Sequence, residues 1–381
     1  MNRIVLVGNG FDISCGLKTS YDDFILWYLK RQLLKLCRSQ NRKYKDLLIE
    51  ITLTQPNNDL ILIIKDLNKL SELLDLQNIS FNLPNRQSRP IGVLNLTCAI
   101  NSPILKYSID SHKWSSIEQS YYYELLELFQ EFDNTRRANK YEKIGKIKRL
   151  NDQLNYIKQL LIEYLSEIEE NIDAKVHTNK YLKDIFNKIK KSPYERDWKI
   201  SMSEDEIRKN ELEDIYYFSF NYTSLLDTHL SDFNVIGQNT LVFNIHGYLD
   251  NPESIIFGYG DDSHKDYYNL EQSGIDDFII NIKSFHYPSD EIYETLIGAL
   301  DSGIFEVFIL GHSLGLSDRV LLKTVFEHRN CRSIRLFHRN SLDDHIKKRL
   351  ALSRHFEDKI KMRERIVRFD PNDILDSDEV D

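Results

Sequence analysis

The apolar run at residues 4–7 stops abruptly at Gly8-Asn9-Gly10, with Phe11 and Asp12 directly after it. A β-branched stretch of this kind forms a buried strand. A Gly-x-Gly break at its C-terminal end lets the backbone turn sharply, approach another group closely and enter a helix. Such β–turn–α openings belong to sheets whose ligands lie beyond the carboxyl ends of parallel strands, where main-chain N–H groups meet a phosphate or sugar. An α/β sheet and a nucleotide ligand are therefore the first expectations. The dinucleotide fingerprint is incomplete, because the next glycine is Gly16; an ordinary tight turn in a β–α unit stays open as the alternative.

The same rhythm returns from Asp214. Strand-like runs at 215–220, 241–245, 305–310, 334–337 and 366–369 alternate with helical stretches at 276–283, 290–300, 318–328 and 341–356. This alternation predicts a doubly wound, mostly parallel Rossmann-like sheet of the α/β class. The residues between read differently. Apolar residues recur at helical spacing over 22–78, a proline-bearing polar stretch over 80–112 reads as loop with a short strand, and helical periodicity returns over 116–132 and 141–172. The expected organisation is a nucleotide-binding domain made from 1–24 plus 210–381, interrupted by a mostly helical insertion over 25–209.

Charge and hydropathy narrow the class. A net charge of −9 argues against direct nucleic-acid binding, which needs a basic surface to displace counterions. No apolar run approaches the ~18 residues that cross a bilayer, and no leader-like apolar segment is seen at the start, so the expected location is cytoplasmic, away from membranes. The four cysteines, Cys15, Cys37, Cys98 and Cys331, are widely spaced and offer neither zinc-type pairs nor a disulfide framework. His264, His286, His328, His338, His345 and His355 show no metal-ligand spacing along one helix, and no metal is expected.

In a doubly wound sheet the informative residues lie just past each strand. Here they are Gly8-Asn9-Gly10-Phe11-Asp12, then Asn221-Tyr222-Thr223, then His246-Gly247, then Gly311-His312-Ser313-Leu314-Gly315-Leu316-Ser317-Asp318. Four segments thus bring small and polar residues to one sheet edge. Each has a bland reading: Asp12 as a helix cap, Asn221 as a turn former, His246 as a structural histidine. Their joint placement favours a site.

At these residues the chain resembles the AbiH family, bacterial proteins linked to abortive infection during phage attack. The resemblance is carried by Gly8-Asn9-Gly10-Phe11-Asp12 with residues 16–24, by Phe220-Asn221-Tyr222-Thr223, Ile245-His246-Gly247 and Phe257-Gly258-Tyr259-Gly260, and by Gly311-His312-Ser313-Leu314-Gly315 with Asp318. It implies a role in defence without supplying a reaction. The motif order is also similar to that of sirtuins and sirtuin-like NAD hydrolases, with Gly8 to Asp12, Gly16-Leu17, Asp23-Phe24, Asn221, His246-Gly247 and Gly311-His312-Ser313 in the corresponding places. Thr223 stands where an acidic residue would be, and the zinc-binding cysteine pairs of the deacylases are missing.

This second resemblance implies cleavage of the nicotinamide–ribose bond, with NAD as substrate or ligand rather than a retained cofactor. Such chemistry develops oxocarbenium character at the sugar and needs an oriented water and a proton acceptor. Asn221 would orient the water or a ribose hydroxyl, and His246 would accept the proton. Gly8, Asn9, Gly10, Phe11, Asp12, Thr223, Gly311, His312 and Ser313 would hold the nucleotide. A non-catalytic nucleotide sensor that engages a partner is the competing reading. Gly311-His312-Ser313-Leu314-Gly315 also matches the Gly-x-Ser-x-Gly turn of serine hydrolases, with Asp343 or Asp344 and His345 or His355 as nominal partners. The short chain after Ser313 and the long interruption before it weigh against that minor alternative. A phage-derived trigger, a protein partner and a homo-oligomer are all compatible with the sequence.

Overall fold

A computed structural model describes residues 1–38, 42–53, 61, 64–66, 68–69, 79–82, 96–111, 114–134, 140–170, 181–191, 212–233, 239–260, 266–287, 291–339 and 341–376. Their strands, in chain order, are β1 Asn2–Val7, β2 Lys43–Lys45, β3 Ile49–Leu53, β4 Ile79–Asn82, β5 Leu96–Ile100, β6 Ile215–Ser219, β7 Thr240–Asn244, β8 Phe305–Leu310 and β9 Cys331–Leu336. The described residues fall into two compact units, one drawn from Met1–Leu17, Leu165–His264 and Ile282–Asp381, the other from Lys18–Tyr164 and Lys265–Asn281.

The first unit contains a five-stranded parallel sheet in the order β7-β6-β1-β8-β9, as the alternating pattern predicts. The chain leaves β1 outward through β6 and β7, then returns to the other side of β1 for β8 and β9. The direction of winding therefore reverses between β1 and β8, which makes their C-terminal ends the switch point where ligands are received in such sheets. Every residue of β1 and β8 is buried, because a central parallel strand is covered on both faces and reads as a continuous apolar run.

Side-chain alternation divides that run between two cores. Ile4 and Leu6 join Val307, Ile309, Leu296, Leu300, Leu321 and Val325 on one face, under helices Glu291–Asp301 and Arg319–Glu327. Val5 and Val7 join Phe308, Leu310, Phe11, Leu182, Phe186 and Leu230 on the other, under helices Leu182–Lys190 and Leu225–Asp232. Fully burying each such aliphatic or aromatic side chain contributes about 1.5–3 kcal/mol. The one charged residue of β1, Arg3, is held through its two terminal nitrogens by Glu306 Oε2 at 2.5 Å and by the carbonyls of Ile189 and Lys191.

Two local expectations differ from the structure. The run at 366–369 makes a single parallel bridge from Ile366 to Ile334 rather than a named strand. The run at 276–283 gives two single-turn 3₁₀ segments, Asp276–Phe278 and Lys283–Phe285, because its apolar residues are needed in short turns rather than along one helical stripe.

The second unit holds helices Tyr21–Arg38, Pro103–Ser111, Trp114–Asp133 and most of Lys140–Glu170, together with a four-stranded sheet ordered β2-β3-β5-β4. The helical periodicity expected over 22–78 is interrupted after Arg38 by β2 and β3, with helix again at residues 61 and 64–66. In β3, Ile49, Ile51 and Leu53 are buried while Glu50 and Thr52 are not, a period of two that only a strand satisfies. Asp46 closes the turn before it: Oδ1 accepts the N–H groups of Leu48 and Ile49, and Oδ2 accepts the hydroxyls of Tyr28 and Tyr44, each at 2.8 or 2.9 Å.

Candidate functional site

The end of β1 meets the end of β8 through glycine. The Gly8 N–H donates to Leu310 O at 3.0 Å, the Gly10 N–H to Gly311 O at 2.9 Å, and the Phe11 N–H to Gly8 O at 2.8 Å. A Cβ on Gly8 would lie 2.6 Å from the Cα of His312, and one on Gly10 would lie 2.6 Å from Gly311 O. Gly311 itself has a φ of +73°, and a Cβ there would stand 2.2 Å from the Phe11 nitrogen. These glycines let two strand ends cross in contact at the switch point. The N–H groups of Gly8 and Gly10 are consequently bonded inside the protein instead of being turned outward. Asn9 and Gly10 are half-buried at the rim.

Asp12 lies inside the short helix Asn9–Ser14, whose N-cap position belongs to Gly8, so it does not cap that helix. Its carboxylate turns toward the segment after β6. Oδ1 accepts from Asn221 Nδ2 and Oδ2 from Thr223 Oγ1, both at 2.7 Å, and all three residues are buried. Burial drives the Asp12 carboxyl upward, the Thr223 and Asn221 hydrogen bonds pull it partly back, and the charge of Glu169 adds a smaller upward push; the result is about 7. Local bonds hold the partners in place. The Asn221 N–H donates to Ser219 Oγ at 3.2 Å, and the Ser224 N–H donates to Glu169 Oε1 at 2.7 Å where helix Leu225–Asp232 begins.

A second buried cluster surrounds Asp318. Lys283 Nζ stands 2.9 Å from Asp318 Oδ1, His246 Nε2 lies 3.1 Å from the same oxygen though off the line of a hydrogen bond, and His312 Nε2 lies 3.8 Å from Oδ2. Burial alone would raise the Asp318 carboxyl, but the Lys283 ammonium and the two imidazoles outweigh it and hold it well below the usual carboxylate range. Burial is also the main cause that takes His312 down to about 4, against the opposing pull of Asp318. His312 Nδ1 accepts the Leu314 N–H at 2.9 Å, and Leu314 adopts a φ of +57° to present it. The Phe220 ring meets both imidazoles edge-on, with centroids 5.2 Å from His246 and 4.2 Å from His312.

The expected site residues are thus brought together in two groups at the carboxyl ends of β1, β6, β7 and β8: Asp12 with Asn221 and Thr223, and His246 with His312. Ser313 is exposed, and among the described residues no side chain hydrogen-bonds it. Three of the four residues nominated as its partners are engaged elsewhere, and the His345 ring packs against His338 and Phe369. His355 Nε2 contacts Leu314 O at 3.0 Å, Asp343 pairs with Lys347, and Asp344 accepts the Arg339 N–H. Asp261, Asp262 and His264 lie outside the described residues. Among the described residues no three His, Cys, Asp or Glu side chains are grouped to hold a metal ion, and no helix is long and apolar enough to cross a membrane.

Two residues of the cluster were not singled out as site residues from the sequence. Asp318 reads there as the end of the segment after β8 and the start of a helix, with no role assigned to it. Lys283 carries no motif and looks like one more surface lysine, yet it is 1% exposed, held by its N–H to Tyr259 O at 2.9 Å, while Gly260 closes against Ser317 O beside it. A family model described as "Bacteriophage abortive infection AbiH" matches residues 4–339 of the chain. No curated protein matches it.

Proposed function

This chain belongs to the AbiH family of bacteriophage abortive infection proteins, and from that premise we propose that it is a phage-defence effector hydrolysing the N-glycosidic bond of NAD or a close relative. The observation that carries the reading is the Asp12–Asn221–Thr223 cluster at the switch point, a buried carboxylate brought to about 7 and held by two neutral donors. A carboxyl shifted this far by burial and held by two specific partners is characteristic of a functional site.

The reaction consumes NAD and water and gives ADP-ribose, nicotinamide and a proton. As the C–N bond breaks, positive character grows at the ribose, and an ionised Asp12 stabilises it across a water-poor site. Asn221, whose amide nitrogen is fixed on Asp12, leaves its carbonyl oxygen to orient the attacking water or a ribose hydroxyl. His246 takes the proton that the water loses. The diphosphate is placed at the rim formed by Asn9, Gly10 and Ser313, because the Gly8 and Gly10 N–H groups are already bonded to the β8 turn.

One observation favours a second reading, a nucleotide sensor without turnover. Asp12, Asn221, Thr223, His246 and His312 are each 5% exposed or less, a closed arrangement that suits a resting state awaiting a phage-derived trigger or partner. The two readings separate in cells. NAD content is followed after phage challenge in cells carrying the chain or its His246→Ala form. The hydrolase reading expects NAD to collapse only with the unaltered chain. Protection with NAD unchanged would leave the sensor.

A further inference from the structure

We infer that the outer face of helix Leu342–Ser353 is the contact surface of a homodimer, in which two copies of this helix pack antiparallel across a two-fold axis at Ile346. The helix carries apolar residues on two faces. Its inner side is seated in the fold: His345 and Leu352 are buried, the His345 ring meets His338 and Phe369, and Lys348 Nζ donates to Phe337 O at 2.7 Å. Its outer side shows Leu342, Ile346 and Leu350 to solvent, 53%, 42% and 59% exposed. A surface helix ordinarily turns polar residues outward. One exposed leucine needs no explanation, but a step of four taken twice aligns these three in a single stripe about 12 Å long.

The borders of the stripe select the occupant. At about 100° per residue, Asp343, Lys347 and Arg354 fall along one border and Arg349 along the other. All four are exposed, and Asp343 pairs with Lys347 at 2.6 Å with both side chains 72% exposed. An acid and a base on the same border are complementary to their own image. Antiparallel two-fold pairing centred on Ile346 sets each border against the same border of the second copy. Asp343 then meets Lys347 of the second copy, Leu342 meets its Leu350, and each contact occurs twice. Parallel pairing would instead set the Lys347 border against the Arg349 border and bring bases together, a repulsive arrangement.

Other occupants fit less well. A nucleic acid or an anionic bilayer would be opposed by Asp343 on the border and by the net charge of −9 carried by the chain. A second copy answers the apolar stripe and both signs of charge with one surface. Three apolar side chains are few beside the interfaces of permanent dimers, so the pairing is concentration-dependent, with single chains prevailing when dilute.

Sedimentation equilibrium of the full chain, with reductant present and at several loading concentrations, is the test. The weight-average mass is expected to rise from the 45.1 kDa of one chain toward twice that value as concentration increases. Ile346→Lys sets like charges against each other at the axis and is expected to weaken association by about tenfold or more; should it not fold by circular dichroism, Leu350→Lys serves instead. Asp343→Lys is expected to weaken association, most at low salt, and Asp343→Lys combined with Lys347→Asp to restore it. A chain that stays at the mass of one copy at every concentration overturns the inference, whatever else the face accepts. So does a dimer indifferent to Ile346→Lys and Leu350→Lys, one that Asp343→Lys leaves as strong as before, or one that the double exchange fails to restore. The readout is mass alone and is independent of whether NAD is cleaved.

Discussion

Asp12 Oδ2 and Thr223 Oγ1 lie 2.7 Å apart across 211 positions of the chain, joining the helix after β1 to the segment after β6. That contact places a buried carboxylate among neutral donors. Asp318, also buried, faces a lysine instead. The two carboxyl groups are consequently driven in opposite directions, Asp12 up and Asp318 down. Sites that separate their acids in this way assign them different tasks: on the proposed reading Asp12 faces the developing charge of the sugar, while Asp318 keeps its charge beside Lys283.

The first prediction concerns stability and pH. Asp12 ionises near its ordinary 3.8 in the unfolded chain and near 7 in the folded one, so the folded state binds the extra proton and the contribution present below pH 4 is lost as pH rises to 7. His312 runs the other way. It protonates below 6.5 when unfolded and only near 4 when folded, so its contribution is complete above 6.5 and lost as pH falls to 4. At about 1.4 kcal/mol per pKa unit, these are on the order of 4 and 3 kcal/mol respectively. The two slopes oppose each other in the unaltered chain. Asp12→Asn is expected to expose the His312 slope, so that urea-unfolding stability climbs from pH 4 to 6.5 more steeply than in the parent. Parallel profiles would contradict the account of Asp12.

The glycine crossing gives a second prediction. Gly311→Ala places a Cβ 2.2 Å from the Phe11 nitrogen at a φ of +73° and is expected to lower stability by roughly 3 kcal/mol or more, since neither backbone can yield. Gly298→Ala is the control. Gly298 lies exposed in helix Glu291–Asp301 with nothing within 4 Å of the added Cβ, and it should gain about 0.5–1 kcal/mol. Denaturant midpoints of the two variants check both signs.

Breaking the buried pair at Asp318 is expected to be costly in a specific way. Asp318→Asn removes the carboxylate that the buried Lys283 ammonium faces at 2.9 Å, and the loss should be about 3–5 kcal/mol. Replacing both partners, as Lys283→Met with Asp318→Leu, should cost less than the sum of the single changes, with a coupling of about 1 kcal/mol or more in a double-mutant cycle. Additive losses would mean the pair is not an energetic unit.

The sheet was legible because parallel central strands advertise themselves. Residues 4–7 and 307–310 are uninterrupted apolar runs, and Gly8-Asn9-Gly10 and Gly311 mark where each ends. The residues after those strands were legible for the same reason, as topology alone carries Asn221, Thr223, His246 and His312 to one edge. What the glycines do there was not legible. Sequence cannot tell a glycine that opens its N–H to a phosphate from one that lets two turns cross. Asp12 looked like a cap because its partners lie more than 200 residues away. Lys283 was invisible because its role depends on burial against Asp318, 35 residues on. In the second unit, β3 was hidden within a longer stretch of helical spacing, and its period of two spans only five residues.

Release of nicotinamide from NAD by the purified full chain tests the central claim most directly, with and without extract from phage-infected cells and beside Asp12→Asn, Asn221→Ala and His246→Ala. The account predicts release by the unaltered chain in at least one of the two conditions and its loss by 100-fold or more in each variant, the scale of a removed acid–base group. Bound NAD without release in either condition would contradict hydrolysis and leave a nucleotide sensor.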